Sequence, residues 1–261
     1  MRRSFTRTAL ILRSRPQGES NREVWFLTCE EGILRATVFG GPKSRLRAHA
    51  SPFHSGTLWL YHDPVRDSRK VTDFDVASWR PGIRELYERT MAAGAAAETV
   101  LASHGGGGNW KEAFGLACRS FDAFETAQAE ICERIFIHFL WNWAALLGGR
   151  PGLACSSCAC EPADHGILWY DGNEGSFFCP RCAGLDGTGG TEDGKAGGLL
   201  PLGPGGRRWL SAVEDLDPAR LGRYSADAAS RKEIRSVVTA VMEGLLGKRP
   251  ATWDEVQHES G

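Results

Sequence analysis

The stretch Val24-Trp25-Phe26-Leu27-Thr28-Cys29-Glu30-Glu31-Gly32-Ile33-Leu34-Arg35-Ala36-Thr37-Val38-Phe39-Gly40-Gly41-Pro42 reads as two β-strands around a tight turn. Its two apolar runs are rich in β-branched and aromatic residues, and Glu30-Glu31-Gly32 and Gly40-Gly41-Pro42 punctuate them. Side chains alternate across a strand, so Val24, Phe26 and Thr28 on one face put Trp25 on the other. On the second strand Leu34, Ala36 and Val38 point inward, which leaves Arg35, Thr37 and Phe39 outside. The next residues, Lys43-Ser44-Arg45-Leu46-Arg47, read as a basic loop. Aromatic rings beside cations suit a single nucleic-acid strand, which needs stacking surfaces and phosphate-neutralising charge. Trp25, Arg35, Thr37, Phe39, Lys43, Arg45 and Arg47 are therefore the candidate DNA-contacting residues. The competing role for Trp25 and Phe39 is packing against a neighbouring helical layer.

Working outward, Thr8–Leu12, Ser55–Tyr61 and Lys70–Val76 are further strand-like runs, separated by Pro16-Gln17-Gly18 and His62-Asp63-Pro64. Five short strands at this spacing predict a small closed barrel over residues 1–80. Residues 1–50 carry ten basic and four acidic residues, a local charge of +6, which leaves −7 for the rest of a chain whose total is −1. A basic head on an acidic body points to an anionic partner for the barrel.

From about Pro81 the period becomes helical. Ile83, Leu86, Tyr87, Thr90, Ala93, Ala97, Val100 and Leu101 form one stripe, ended by Gly105–Gly108. Asn109 is placed to cap the next helix, which carries Phe114, Ala117, Phe121 and Phe124. A third helix over about Ala127–Leu147 is apolar on most sides, as expected of a central one. Helices resume at Trp209–Leu216 and about Ala226–Leu246, after a glycine-crowded stretch over 185–208 that reads as loop. The expected divisions are therefore 1–80 barrel, 81–150 helical, 151–184 cysteine module, 185–208 loop and 209–261 helical.

The cysteine module contains Cys155-Ser156-Ser157-Cys158 and, twenty residues on, Cys179-Pro180-Arg181-Cys182. Two C-x-x-C turns at this separation are a zinc-site pattern, with Cys155, Cys158, Cys179 and Cys182 as ligands. Four thiolates leave no open position, so one structural zinc ion is expected rather than a catalytic one. Two disulfides are the alternative. The initial apolar run, Ala9–Leu12, is too short for an export signal, which places the thiols in the reducing cytoplasm and favours metal. Cys160 is a spare thiol able to replace Cys158, and His165 lies between the knuckles. Cys29, Cys118 and Cys132 read as small buried hydrophobes.

No enzyme constellation is present. Asp73-Phe74-Asp75 could hold a divalent cation but more simply reads as a solvated strand edge. Gly187-Thr188-Gly189-Gly190 lacks the leading strand and following Lys-Ser/Thr of a phosphate loop. His138 lies on an apolar helix and reads as an interior histidine.

Taken in order, these segments resemble the RecO family of bacterial recombination mediators. Thr8–Arg13, Gly18–Arg22 and Thr28–Gly32 are similar to its first barrel strands, and Gly40–Ser44 to its basic loop. Leu146-Leu147-Gly148-Gly149-Arg150-Pro151 leading into the two knuckles resembles its entry to the zinc module, and Lys248-Arg249-Pro250 its closing segment. The resemblance implies an α+β multidomain chain with an N-terminal OB-fold barrel, an α-helical domain and a small zinc-binding module. It implies a non-enzymatic protein of DNA repair and recombination, acting at the bacterial nucleoid. Such a protein binds single- and double-stranded DNA, anneals complementary strands and, with RecR, helps RecA load onto DNA coated by single-strand-binding protein. That protein's acidic C-terminal tail is expected on the helical domain, where Arg134 and Arg150 flank the most apolar helix. Glu174–Phe178, Cys160 and the glycine stretch depart from the family pattern. A zinc-ribbon adaptor of transcription would share the cysteines but not the barrel, and a DNA-processing nuclease would need a carboxylate cluster that the sequence does not offer.

Overall fold

The computed structural model describes residues 3–40, 44–160, 166–185 and 198–256. Strands β1 (Ser4–Gln17), β2 (Asn21–Thr28), β3 (Gly32–Val38), β4 (Ser55–Asp63) and β5 (Ser68–Ser78) close a barrel in the order β1-β2-β3-β5-β4. Neighbours pair antiparallel except β3 and β5, which are parallel over Thr37↔Lys70 and Val38↔Val71. This order, with a helix between β3 and β4, is that of an OB-fold.

Strand β1 is longer than its apolar centre suggests because it serves two partners. Ser4–Leu10 pairs with β4 and Ala9–Gln17 with β2, and the register shifts between Ile11 and Arg13. A bulge of this kind bends one strand around a small barrel. Ala9, Ile11, Val24, Phe26, Leu34, Ala36, Val38, Leu58, Leu60, Val71 and Phe74 fill the interior. The alternation holds over Val24–Phe26 and Leu34–Val38 but breaks at Leu27, which lies on the outward side yet is fully buried, near Gly105. At Gly56, where β4 and β5 shift register, a Cβ would stand 2.0 Å from the Asp75 carbonyl oxygen. A larger residue there would force the two strands apart.

The basic segment after β3 is not wholly a loop. Arg45–His49 forms a short helix, α1, and Leu46 packs against the barrel core. His49 Nδ1 donates to the Phe74 carbonyl at 2.8 Å, which leaves Nε2 to accept from Arg45 Nε at 3.2 Å. The helix is thus pinned to β5, an arrangement that the charge pattern alone does not reveal. Lys43 lies outside the described residues.

The chain divides into two compact units, 1–136 with 250–261, and 137–249. In the first, a 3-10 turn (Pro81–Arg84) leads into α2 (Tyr87–Ala102) and α3 (Trp110–Thr126). Asn109 caps α3, its side-chain oxygen accepting from the Glu112 N–H. α4 (Ala129–Leu146) starts in this unit and ends in the second. Its residues Phe139, Leu140, Trp141, Trp143 and Ala144 are buried, as an all-round apolar helix requires. The segment Pro250–Val256 returns to the first unit. There Trp253 is buried and donates from Nε1 to Thr99 Oγ1 at 3.0 Å, beside Thr252 N donating to Glu98 Oε2 at 3.2 Å.

The second unit holds a three-stranded sheet, β7-β6-β8, built from β6 (Leu168–Asp171), β7 (Ser176–Phe178) and β8 (Leu199–Leu202). It also holds α5 (Pro204–Val213) and α6 (Ala228–Leu246). Strand β8 and the start of α5 fall inside 185–208, read above as loop. Leu199-Leu200-Pro201-Leu202 is apolar but short, and its Pro201 argues against a strand until one sees that β8 is an edge. α6 has Asp227 as its N-cap, accepting from Ser230 N at 2.9 Å, and ends at Gly247 with φ 67°.

One buried cation joins barrel to helices within the first unit. Arg80 is 2% exposed, with φ 47° and ψ 54° in the left-handed region. Its Nε donates to Asp122 Oδ1 on α3 at 2.7 Å, and its Nη1 to the Phe53 carbonyl and Ser55 Oγ at 2.7 and 2.9 Å. A planar guanidinium reaches these acceptors at once; an ammonium cannot. Arg80→Ala should lower stability by about 2–4 kcal/mol, because two buried acceptors lose their donor, and Arg80→Lys should restore only part of that. Urea unfolding followed by tryptophan fluorescence checks this, and an unchanged midpoint in both variants would refute it.

His54 lies in the same region, donating from Nδ1 to the His49 carbonyl at 2.9 Å. Burial, and then the positive charges of Arg84 and Arg80, hold its pKa below the ordinary 6.5, against the pull of that hydrogen bond. The folded state therefore disfavours the protonated form of His54 relative to the unfolded chain. The associated stability is complete above 6.5 and is lost as pH falls below it towards the depressed folded value. His54→Asn, which can keep the hydrogen bond, should show a shallower loss of stability than wild type between about pH 7 and 5. Parallel curves for the two proteins would contradict the assignment.

Candidate metal centre and nucleic-acid interface

In the second unit the knuckles hang on the small sheet. Ser156 N donates to the Phe177 carbonyl on β7 at 2.8 Å, and the second knuckle follows directly from that strand. Each knuckle is closed by its own backbone: Ala159 N to the Cys155 carbonyl, and Ala183 N to the Cys179 carbonyl, both at 2.9 Å. The sequence pattern is realised because two tight turns face each other across one hairpin edge.

The Sγ atoms of Cys155, Cys158, Cys160 and Cys179 all lie within 4.8 Å of one another. The Cys158–Cys179 separation is 3.9 Å, against about 3.8 Å for the edge of a tetrahedron with 2.3 Å metal–sulfur bonds. The donor set thus fits a small thiophilic ion, and four cysteines here can hold a metal. Cys160 is part of the group, although the regular knuckle pattern does not include it. Cys182, expected above as the fourth ligand, falls outside this group of four; it interacts with Cys179, Cys158 and Cys155, and its thiol is pushed up to about 12 chiefly by Cys179 and Cys158. Burial opposes ionisation of Cys155, but backbone groups of Cys179, Cys158 and Ser157 outweigh it and hold that thiol below its ordinary range. Cys158 is lowered to about 6, first by the Cys160 thiol, whereas Cys160 is raised to about 12 by Cys158. The Arg181 guanidinium is held in its charged form by its hydrogen bond to Cys158. His165 lies outside the described residues. Cys132 is buried and its thiol is pushed up to about 11 by burial, as is the half-buried Cys118. Both are inert interior thiols, and Cys29 is half-buried.

In the first unit, the barrel's outer face assembles charge around Trp25. Residues directly paired across strands share a face, so Arg13↔Trp25↔Arg35 forms one outward row and Arg15↔Glu23↔Thr37 the next. The Arg15 guanidinium lies 5.7 Å from the Trp25 ring centre, within cation–π range. Arg35 pairs with Glu23 at 3.2 Å, and Thr37 Oγ1 donates to Gln17 Oε1 at 3.0 Å. Through the parallel seam Thr37 meets Lys70, which sits over the Tyr61 ring at 4.9 Å. Phe39, just beyond β3, is 54% exposed.

Trp25, Arg35 and Thr37 are therefore together on one outer face. Arg13 and Arg15 were legible as an alternating pair in Arg13-Ser14-Arg15; Lys70 and Tyr61 were not, because only the parallel β3–β5 pairing brings them here. Arg45 is exposed and Arg47 half-buried on α1. Arg45 shares a concavity of about 480 Å³ with Trp59, Asp73 and Asp75. Asp73 and Asp75 are exposed strand residues, and the described residues show no metal-ligating group there. Of the tail-binding candidates, Arg134 belongs to the first unit and Arg150 to the second. Arg150 is already engaged, 3.4 Å from Glu214 and 5.7 Å from the Trp141 ring centre. His138 is buried, with Nε2 3.0 Å from the Leu216 carbonyl.

Two family models cover nearly the whole chain: "Recombination protein O N terminal" over residues 1–78 and "Recombination protein O C terminal" over 84–254. The chain belongs to the RecO family. Curated relatives called "DNA repair protein RecO" agree in extent. The protein of Anaeromyxobacter sp. (strain K) is 30% identical over 252 residues, 94% of this chain and 92% of its own length. That of Desulfitobacterium hafniense (strain DSM 10664 / DCB-2) is 27% identical over 248 residues, covering 94% and 86%. That of Pelotomaculum thermopropionicum is 27% identical over 233 residues, covering 88% and 84%. The RecO barrel is thus the N-terminal part matched by the first family model, and the thiol cluster falls in the part matched by the second. Among the described residues no helix is long and apolar enough to cross a membrane.

Arg181 offers a direct reading of metal occupancy, since it lies inside the second knuckle. Trypsin cleavage after Arg181 should be slow in metal-supplemented chain and rise sharply on chelation, while cleavage within the barrel stays constant. Equal Arg181 cleavage with and without chelator would remove the metal centre.

Proposed function

We propose that this chain is a non-enzymatic DNA-binding mediator of recombinational repair, acting on the bacterial chromosome in the cytoplasm. It binds single- and double-stranded DNA on the outer barrel face and anneals complementary strands. With RecR it helps RecA load onto DNA coated by single-strand-binding protein. The observation that carries this reading is the in-register row Arg13–Trp25–Arg35, flanked by Arg15 and Thr37, on an OB-fold barrel of a RecO chain. The indole supplies a stacking platform and the arginines supply phosphate contacts, and Phe39, Lys43, Arg45 and Arg47 are further candidate contacts. The resident ion is zinc with a structural role, because an all-thiolate set suits that soft-ligand centre and leaves no place for a reacting water. The acidic tail of single-strand-binding protein docks on the helical part, with Arg134 and Arg150 as its cation candidates.

Charge and stacking are separable. Each phosphate-contacting arginine removed among Arg13, Arg15 and Arg35 should flatten the log–log salt dependence of single-strand affinity by about 0.7. Trp25→Ala should weaken binding by roughly 1–3 kcal/mol and leave that slope nearly unchanged. Annealing of complementary strands should proceed without nucleotide or divalent ion and yield no cleavage products. Normal binding by the triple arginine variant would move the DNA surface elsewhere.

A further inference from the structure

The thiol cluster contains more sulfur than a tetrahedral ion can take. Beyond the knuckle Cys155–Cys158, Ala159 adopts φ 53° in the left-handed region, and the Cys160 carbonyl accepts from Cys155 N at 3.2 Å. This reversal returns the Cys160 sulfur to 3.1 Å from that of Cys158. Two ligands of one tetrahedral zinc stand about 3.8 Å apart, and at 3.1 Å they would subtend only about 85° at the metal. The Cys158–Cys179 separation of 3.9 Å meets the requirement, and Cys160 also lies within 4.8 Å of Cys155 and Cys179. Cys158 and Cys160 therefore occupy one vertex twice over, while Cys182 interacts with Cys179, Cys158 and Cys155.

We propose that Cys155, Cys179 and Cys182 are constant ligands and that Cys158 and Cys160 alternate at the fourth place. This rests on the metal reading above. An adjacent fifth sulfur lets an outgoing ligand be replaced as it leaves, so the centre never passes through a three-sulfur state. The buried pair, Cys155 and Cys179, anchors the ion, and the exchange takes place on the exposed side at Cys158 and Cys160.

Cobalt(II) titration of the reduced full-length chain tests this, because tetrahedral four-sulfur cobalt has intense d–d bands that weaken and shift when one sulfur is lost. Wild type, Cys158→Ser and Cys160→Ser should each bind a full equivalent with the four-sulfur spectrum, and the double variant should lose it. A three-sulfur spectrum or no binding in either single variant would overturn the alternation, and so would a four-sulfur spectrum in the double variant. Brief alkylation of the loaded wild type supplies a readout without mutation. Within the cluster, label should divide between the Cys158 and Cys160 positions; label confined to one of them, or found mainly on Cys182, would refute the proposal. Failure of wild type to bind cobalt at all would instead remove the metal reading itself.

Discussion

Two rungs of parallel pairing between β3 and β5 decide what the barrel can present. Without them β3 and β5 are free edges, and Thr37 has no neighbour on that side. With them the sheet closes, Lys70 and Tyr61 join the outward row that begins at Arg15, and the edge left open to aggregation is shortened. The closure is sequence-expensive elsewhere. It requires β1 to bend and shift register at Ile11–Arg13, and it requires Gly56 where β4 and β5 approach too closely for any side chain. These features are far apart in sequence yet serve a single geometric condition.

The second dependence is electrostatic. A fully buried guanidinium is an unfavourable object unless each of its donors finds an acceptor, and Arg80 is tolerated because Asp122, Phe53 and Ser55 surround it. Apolar burial would hold barrel and helices together in many orientations. A directional fork bonded to a β4 entry and an α3 side chain narrows them, in keeping with the left-handed backbone accepted at both Phe53 and Arg80. Strain at those two residues is the counterpart of that specificity.

Much of this was legible in the chain itself. The alternation around Trp25 and Arg35 was legible because there one face is buried and the other is not, which is the condition under which a period of two survives; at Leu27 both faces are covered and the pattern is lost. The helices after Pro81 and the Asn109 cap were visible for similar reasons. What remained hidden needed long-range information. Helix α1 is held by a hydrogen bond to β5 rather than by its own propensity, and β8 exists because β6 offers it an edge. Lys70 joins the interface through pairing between strands that are not consecutive. Cys160 was noticed as a spare thiol, but its contact with Cys158 depends on the left-handed Ala159, which alanine's preferences do not announce.

The return of Pro250–Val256 to the first unit has a consequence for biosynthesis. Thr99 and the indole that it contacts, Trp253, are 154 residues apart. At roughly 5–20 residues per second, α2 leaves the ribosome on the order of 8–30 s before Trp253 can cover it. The second unit emerges within that interval, since all of its chain precedes Pro250. The barrel unit, although it begins first, finishes last. A nascent chain therefore leaves Thr99 and its surroundings on α2 uncovered until Pro250–Val256 has emerged, a window in which a chaperone would find an exposed helix surface and a degradative protease an incompletely closed unit.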